Sequence, residues 1–191
     1  MTAIQASGYP WMALCMVWFI GAFRTKRTQQ RADFISRLSY GIPVLVAFAL
    51  MFADSDSMSL SWLVVPIFHS NTVLAATGVT VTALGVAFAI WARLYIGQNW
   101  SSAVTIKVGH QLIRTGPYGW VRHPIYSGIL LAMLGTALVR RQPRGVIAFL
   151  LLWLAFLLKS RMEERFMRQA FGPEYDDYIR TTGALVPRIH F

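Results

Sequence analysis

Residues 115–128 read TGPYGWVRHPIYSG. Two prolines, three glycines, two tyrosines and the adjacent Arg122 and His123 are gathered here, after a long apolar run ending near Tyr95 and directly before another at 129–139. Irregular, polar backbone cannot face hydrocarbon, because no water is there to satisfy its amides and carbonyls. The segment therefore sits in water or lines a cavity walled by protein, and the apolar runs flanking it are candidates to cross a bilayer.

Composition agrees. Of 191 residues 55% are hydrophobic and only 14% charged, with a mean hydropathy of +0.48, outside the usual range of a soluble domain. The formal net charge is +10, but the basic residues fall in the connections between apolar runs and form no single stripe. They read as orienting charges that meet anionic lipid, and nucleic acid is not an expected partner. The single cysteine, Cys15, lies inside the first apolar stretch, which excludes a disulfide framework and predicts a buried, inert thiol. No basic residue precedes that stretch and five follow it, the reverse of a signal peptide, so the amino terminus is expected to stay and to begin outside the cytoplasm.

Working along the chain, a first span is expected at 9–23, followed by Arg24, Lys26, Arg27, Arg31 and Arg37, which makes this loop cytoplasmic by the positive-inside rule. A second span at 38–53 returns to Asp54 and Asp56, and 59–68 is too short to cross and reads as an interfacial connector. The third, 72–95, is long and apolar, with Arg93 near its end able to snorkel to the surface. The loop 97–123 carries Lys107, His110, Arg114 and Arg122 and belongs on the side of the first basic loop. Runs at 125–139 and 146–158, joined by a turn holding Arg140, Arg141 and Arg144, are either two thin spans or a helical hairpin. From Lys159 the pattern is polar and helical, with Glu163 and Glu164 in its first turns, a stop at Phe171, Gly172 and Pro173, and a short helix at 174–181. The expected fold is all-α: one polytopic membrane domain, 1–191, of about five transmembrane helices. Within it, 1–96 supplies the N-terminal helices and 97–191 a ligand-binding loop, a helical hairpin and a C-terminal tail.

Ionisable groups are nearly absent from the interiors of the spans, which disfavours an ion or proton path. His69, His110, His123 and His190 lack metal-site spacing, and there is no GxSxG, P-loop or GxGxxG element. What remains is the loop 107–126 with the tail. Tyr118, Trp120 and Tyr126 offer ring faces, Arg122 and His123 donors, Glu163 and Glu164 carboxylates, a set suited to a ligand with amine, carboxylate and cationic parts. Taken singly, the aromatics also suit a headgroup belt and the glutamates a helix start. Pro124 reads as a first-turn residue with His123 just outside the helix, where open amides favour an anionic group.

The segment around GPYGWVRHPIYSG, within 99–128, together with EERFMRQAFGPEYDDYIRTTGALVP at 163–187, resembles the isoprenylcysteine carboxyl methyltransferase family over the carboxyl-terminal half. The resemblance implies a polytopic membrane enzyme with S-adenosylmethionine bound in a cytoplasm-facing pocket, and the expected location is a cell inner membrane. Carried over position by position, the family's segment before its tyrosine falls on His110, Gln111, Leu112 and Ile113, and the tyrosine on Tyr118. The HPxY element is His123, Pro124, Ile125 and Tyr126, and the glutamate that binds the cofactor is Glu163. The family's substrate-side arginine falls on Lys159, which keeps the charge but lacks the planar fork, and Arg161 two residues on is the other candidate.

The implied reaction is in-line methyl transfer to a lipophilic or prenylated acceptor, most simply a carboxylate, which needs no general base. A thiol or amine acceptor would need one, with His123 or Glu164 as candidates. The rival expectations are a phospholipid N-methyltransferase or thiol S-methyltransferase, an NADPH-dependent reductase of the sterol-reductase type, which shares an RHPxYxG-like element, and a lipid-binding scaffold.

Overall fold

The structure, a computed structural model, describes residues 2–22, 28–31, 33–54, 60–69, 71–100, 105–107 and 112–188. Three helices, α1 (Ala3–Ala22), α2 (Phe34–Phe52) and α3 (Thr72–Ile96), run alternately across one slab, followed by the hairpin α4 (Pro124–Arg140) and α5 (Pro143–Phe171) and by a short α6 (Pro173–Thr181). Their starts carry ordinary signals. Asp33 and Asn71 accept from the amides of Ser36 and Leu74 at 3.0 and 2.6 Å, and prolines open α4, α5 and α6, where a missing N–H costs nothing. Gly97 and Gly172 end α3 and α5 at φ of +56° and +53°, a conformation that only glycine adopts without strain.

Four of these helices, α1, α2, α3 and α5, are long and apolar enough to cross a membrane, and α4 at 17 residues is a shorter apolar helix beside them. Their outer surfaces carry Met12, Phe19, Leu45, Val73, Leu84 and Leu154, all exposed, as lipid-facing side chains should be. Strands β1 (Thr28–Arg31) and β2 (Thr105–Lys107) pair antiparallel, joining the loop after α1 to the loop after α3 at one end of the bundle.

The tightest seam lies between α3 and α4. Gly78 and Gly85 face Gly135 and Gly128 across it, and a Cβ on Gly128 would stand 2.6 Å from both the Ala89 nitrogen and the Gly85 oxygen. Between lipid-facing helices there is no apolar solvent penalty to drive association, so close backbone approach and interhelical hydrogen bonds hold the pair instead. Thr82 and Thr136 meet at 3.3 Å in this seam, each bonded to a carbonyl four residues back, and Trp11 of α1 donates its indole N–H to Thr136 at 2.9 Å.

The α4–α5 turn lies at the opposite end of the bundle from the ribbon. Arg144, wholly buried, donates to the Ala53 carbonyl ending α2 at 2.8 Å and to Gln142 at 2.7 Å. Arg141, left-handed at φ +59°, donates to the Phe68 carbonyl at 3.0 Å, and Gln142 to that of Val64 at 2.7 Å. The hairpin thus reaches the connector on the far face, and two of its arginines are consumed by carbonyls there.

Four expectations are corrected. Cys15 is exposed on the outer face of α1 instead of buried, because the apolar surroundings read from sequence are supplied by the bundle's exterior. Arg93 does not snorkel outward. It is 4% exposed, donates to the Gly21 carbonyl at 2.9 Å and that of Gly97 at 3.1 Å, and lies 4.2 Å over the Trp100 ring, tying α1 to α3. The polar stretch from Lys159 is no separate helix but the last turns of α5, since side-chain polarity changes there without any breaker until Gly172. Glu163 and Glu164 are consequently mid-helix residues and owe nothing to a helix start.

Candidate active site

The segment 115–128 enters α4 through a tight 3-10 turn, Gly116–Gly119. Gly116 has φ +58° and sits against the Tyr95 ring, with Tyr95 and Thr115 hydroxyls 2.8 Å apart. Tyr118 then turns inward, and its hydroxyl donates to the Ala92 carbonyl of α3 at 3.4 Å, while its own carbonyl accepts from the Tyr178 hydroxyl of α6. Burial pushes the Tyr118 phenol upward, so it remains a neutral donor.

The tail closes over the next residues. The amides of Arg122 and His123 donate to Gly183 and Ala184 at 2.8 and 3.0 Å, and the Ser127 hydroxyl to Leu185 at 2.6 Å. The His123 amide, at the helix start where open amides were expected, is therefore spent on the tail, and Pro124 is the buried first residue of α4 as its sequence position implied.

Across from this entry, α5 presents Lys159 and Glu163 four residues apart and so on one face, with Glu164 beside them. The Tyr126 hydroxyl donates to Glu163 Oε1 at 2.6 Å, and His123 Nδ1 stands 3.4 Å from Glu163 Oε2. His123 Nε2 lies 3.2 Å from Glu164 Oε1, which also receives Arg122 Nε at 2.9 Å and Nη2 at 2.8 Å. Arg122 reaches on to the Thr182 and Ile179 carbonyls, so one guanidinium clamps α4, α5, α6 and the tail. The His123 and Tyr126 rings lie parallel at 5.5 Å, and Tyr126 stacks on Phe156 at 4.6 Å. Lys159 Nζ lies 5.2 Å from the centroids of two rings, Tyr126 of α4 and Tyr40 of α2.

Buried ions persist where they are paired, and here two carboxylates face a lysine, an arginine and an imidazole. Burial alone would pull the His123 imidazole down, but its hydrogen bonds to Glu163 and Glu164 and their charge outweigh this and leave it above the ordinary value. An imidazole set between two carboxylates favours its protonated form, which makes it a poorer general base. Glu164, engaged by Arg122 and His123, is equally ill placed to take a proton.

The residues expected from sequence divide cleanly. His123, Tyr126, Lys159 and Glu163 converge. Ile113 and Ile125 pack with Tyr118 and Ala92 into the wall behind them, and Leu112 is half-buried nearby in sequence. Arg161 is exposed, and of the two candidates for the acceptor side it is Lys159 that lies against the Tyr126 ring. His110 and Gln111 lie outside the described residues. Sequence reasoning missed Tyr40, whose only signal is a phenol placed early in an apolar span, and the tying role of Arg122 and Glu164.

The family model described as phospholipid methyltransferase matches residues 73–174, which takes in α3, the loop, α4 and α5. A probable protein-S-isoprenylcysteine O-methyltransferase from Oryza sativa subsp. indica is 33% identical over 115 residues, covering 59% of this chain and 60% of the relative. The protein-S-isoprenylcysteine O-methyltransferase of Saccharomyces cerevisiae is 34% identical over 96 residues, covering 49% of this chain and 40% of its own length. The chain thus spans only about half the length of the curated relatives it matches. Among solved structures, the eukaryotic intramembrane Ras methyltransferase ICMT (isoprenylcysteine carboxyl methyltransferase) superposes with a TM-score of 0.58 at 25% identity, covering 79% of this chain and 53% of that one. A matched region that holds every residue of the His123–Glu163 cluster except Tyr40, and more than half of the chain, places it in the phospholipid methyltransferase family, with likeness to isoprenylcysteine O-methyltransferases in both sequence and fold.

Proposed function

We propose that this chain is a membrane methyltransferase that uses S-adenosylmethionine at the cytoplasmic end of the bundle and methylates a lipophilic acceptor, most simply a carboxylate. The observation that carries this reading is the convergence of Glu163, Tyr126, His123 and Lys159 where the loop, α4 and α5 meet.

The donor set suits the cofactor. An ionised carboxylate has about four acceptor positions, so Glu163 can hold an ammonium besides its bonds to Tyr126 and His123. The Tyr126 ring provides a face for a sulfonium, an attraction of about 0.5–2 kcal/mol. When bound, S-adenosylmethionine supplies an electrophilic methyl group on a positively charged sulfur.

The remaining work falls to the chain's own groups. Glu163 fixes the amino end, Tyr118 and the Ile113–Ile125 wall set the floor, and Lys159 takes the negative group of the acceptor. Fixing two reactants in line can lower the barrier by about 7–11 kcal/mol, and withdrawal from water strengthens each electrostatic contact. A carboxylate is already a nucleophile, which agrees with a site whose imidazole and second glutamate are tied up in ion pairs.

Orientation follows from charge. Among the described residues, Arg140, Arg141 and Arg144 belong to the far turn and the other twelve Lys and Arg residues fall at the site end, the side expected to face the cytoplasm.

A second reading, N-methylation of a phospholipid amine, is favoured by the description of the family model. The test begins with calorimetric titration of detergent-purified protein with S-adenosylhomocysteine and, separately, NADPH. Micromolar binding of the first, at least tenfold weaker in Glu163→Ala, is expected. Binding of NADPH instead would move the chain to the reductases, and binding of neither would leave a scaffold. Transfer of labelled methyl to a farnesylcysteine acid or to phosphatidylethanolamine then decides between acceptors.

A further inference from the structure

We infer that Tyr40 of α2 is a positioning residue for Lys159 and thereby for the anionic group of the acceptor, an inference that rests on the assignment of Lys159 to the acceptor side. Tyr40 comes from the amino-terminal half, where no motif was recognised, and it lies ahead of residue 73, where the family match begins. It is 6% exposed, packs against Met162 and Phe166 of α5, and sets its ring 5.2 Å from Lys159 Nζ.

The chemical reason lies in the lysine. A planar guanidinium holds a carboxylate through two parallel hydrogen bonds and so orients it by itself. An ammonium is a point charge on a four-carbon stem, and it orients nothing unless the stem is restrained. Here two ring faces from different helices, Tyr126 and Tyr40, converge on Nζ. Glu163 lies one turn further along α5, so the ammonium is attracted toward the cofactor-side carboxylate unless something holds it on the α2 side. Tyr40 is the residue placed to do so, and it keeps Lys159 directed at the acceptor while Glu163 serves the cofactor. The acceptor's charged end accordingly comes to rest on the α2–α5 side of the cluster.

The experiment measures binding of N-acetyl-S-farnesylcysteine and of its methyl ester to the nanodisc-embedded full chain saturated with S-adenosylhomocysteine, in wild type, Tyr40→Ala, Tyr40→Phe, Lys159→Ala and the double variant Tyr40→Ala with Lys159→Ala. Tyr40→Ala is expected to weaken the acid by about 2- to 30-fold, the range of a cation–ring contact, and to leave the ester and S-adenosylhomocysteine unchanged. Tyr40→Phe retains the ring and the affinity, and Tyr40→Ala has no further effect once Lys159 is gone. Should the alanine variant not fold, Tyr40→Leu keeps most of the apolar volume without a ring face and carries the same expectation. Equal loss for acid and ester, or an undiminished effect without Lys159, would make Tyr40 ordinary packing and overturn the inference. A wild type that binds neither S-adenosylhomocysteine nor the acid would instead remove the methyl-transfer reading on which it rests.

Discussion

At His123 two carboxylates from successive positions of α5 meet one imidazole, Glu163 on Nδ1 and Glu164 on Nε2, with the Tyr126 ring stacked alongside and Arg122 sharing Glu164. Its folded value lies above the ordinary 6.5, so the native state holds this proton more tightly than the unfolded chain does. The stabilisation is fully present below the ordinary value and is lost as pH rises through the elevated folded value, the opposite of a carboxylate's behaviour. The thermal midpoint of the detergent-purified protein is therefore expected to fall as pH is raised from about 6 toward 9, a pH-dependent component that His123→Gln should remove. A midpoint that rises over this interval would mean the imidazole is neutral in the fold. His123, Tyr126 and Glu163 were singled out beforehand through the family resemblance, which carries an HPxY element onto residues 123–126 and counts Glu163 back from the FGxEY element at 171–175. Tyr40 was not, because what makes it informative is a cross-helix distance to Lys159, and nothing in an apolar run announces which neighbouring helix a phenol will meet.

Elements show the same division. The spans were readable from apolar length and the charges between them, and the Gly172 stop held, but the continuity of α5 across Lys159 was not, since a change from lipid-facing to water-facing side chains looks in sequence like a helix boundary. The α3–α4 seam was also missed. Gly78 and Gly85, like Gly128 and Gly135, are seven residues apart, and within an apolar run such glycines read merely as small residues. In the fold they decide how near α4 approaches α3, and hence where His123 and Tyr126 stand. Adding a methyl at Gly128 meets backbone atoms of Ala89 and Gly85, which cannot rotate away, so α4 must move. Gly128→Ala is expected to destabilise by about 1–3 kcal/mol despite alanine's better helix propensity, and to weaken S-adenosylhomocysteine binding by displacing the α4 start. At Gly8 the same change meets open space and is expected to be neutral or slightly stabilising. Parallel melting curves and titrations of the two variants check this, and equal behaviour would mean the seam is loose.

On the scale of the whole molecule, alternation of α1 to α5 gives the two ends different chemistry. One end holds the ribbon, the cluster and α6, and the other the connector with the arginine turn. The proposed orientation, read from charge, turns the first toward the cytoplasm. The three arginines of the turn press the other way, yet Arg144 and Arg141 are bonded to the carbonyls of Ala53 and Phe68, and the Arg144 side chain is wholly buried. Such arginines are internal cross-braces, and so weigh less on orientation than the open basic residues Arg161, Arg165 and Arg168 at the site end. This orders the outcome of a labelling experiment. With Cys15 replaced by serine, single cysteines at Asp177 on α6 and at Val65 in the connector, both exposed, are treated with a membrane-impermeant maleimide in right-side-out and inverted vesicles of a bacterial expression host. Asp177→Cys is expected to label only in inverted vesicles and Val65→Cys only in right-side-out ones. The reverse pattern would place the cluster outside the cell, away from the S-adenosylmethionine pool, and would count against methyl transfer more directly than any single variant of the site. Labelling of both positions from one side would instead break the alternation itself, and with it the hairpin crossing that carries Tyr126 and Glu163 to the same end.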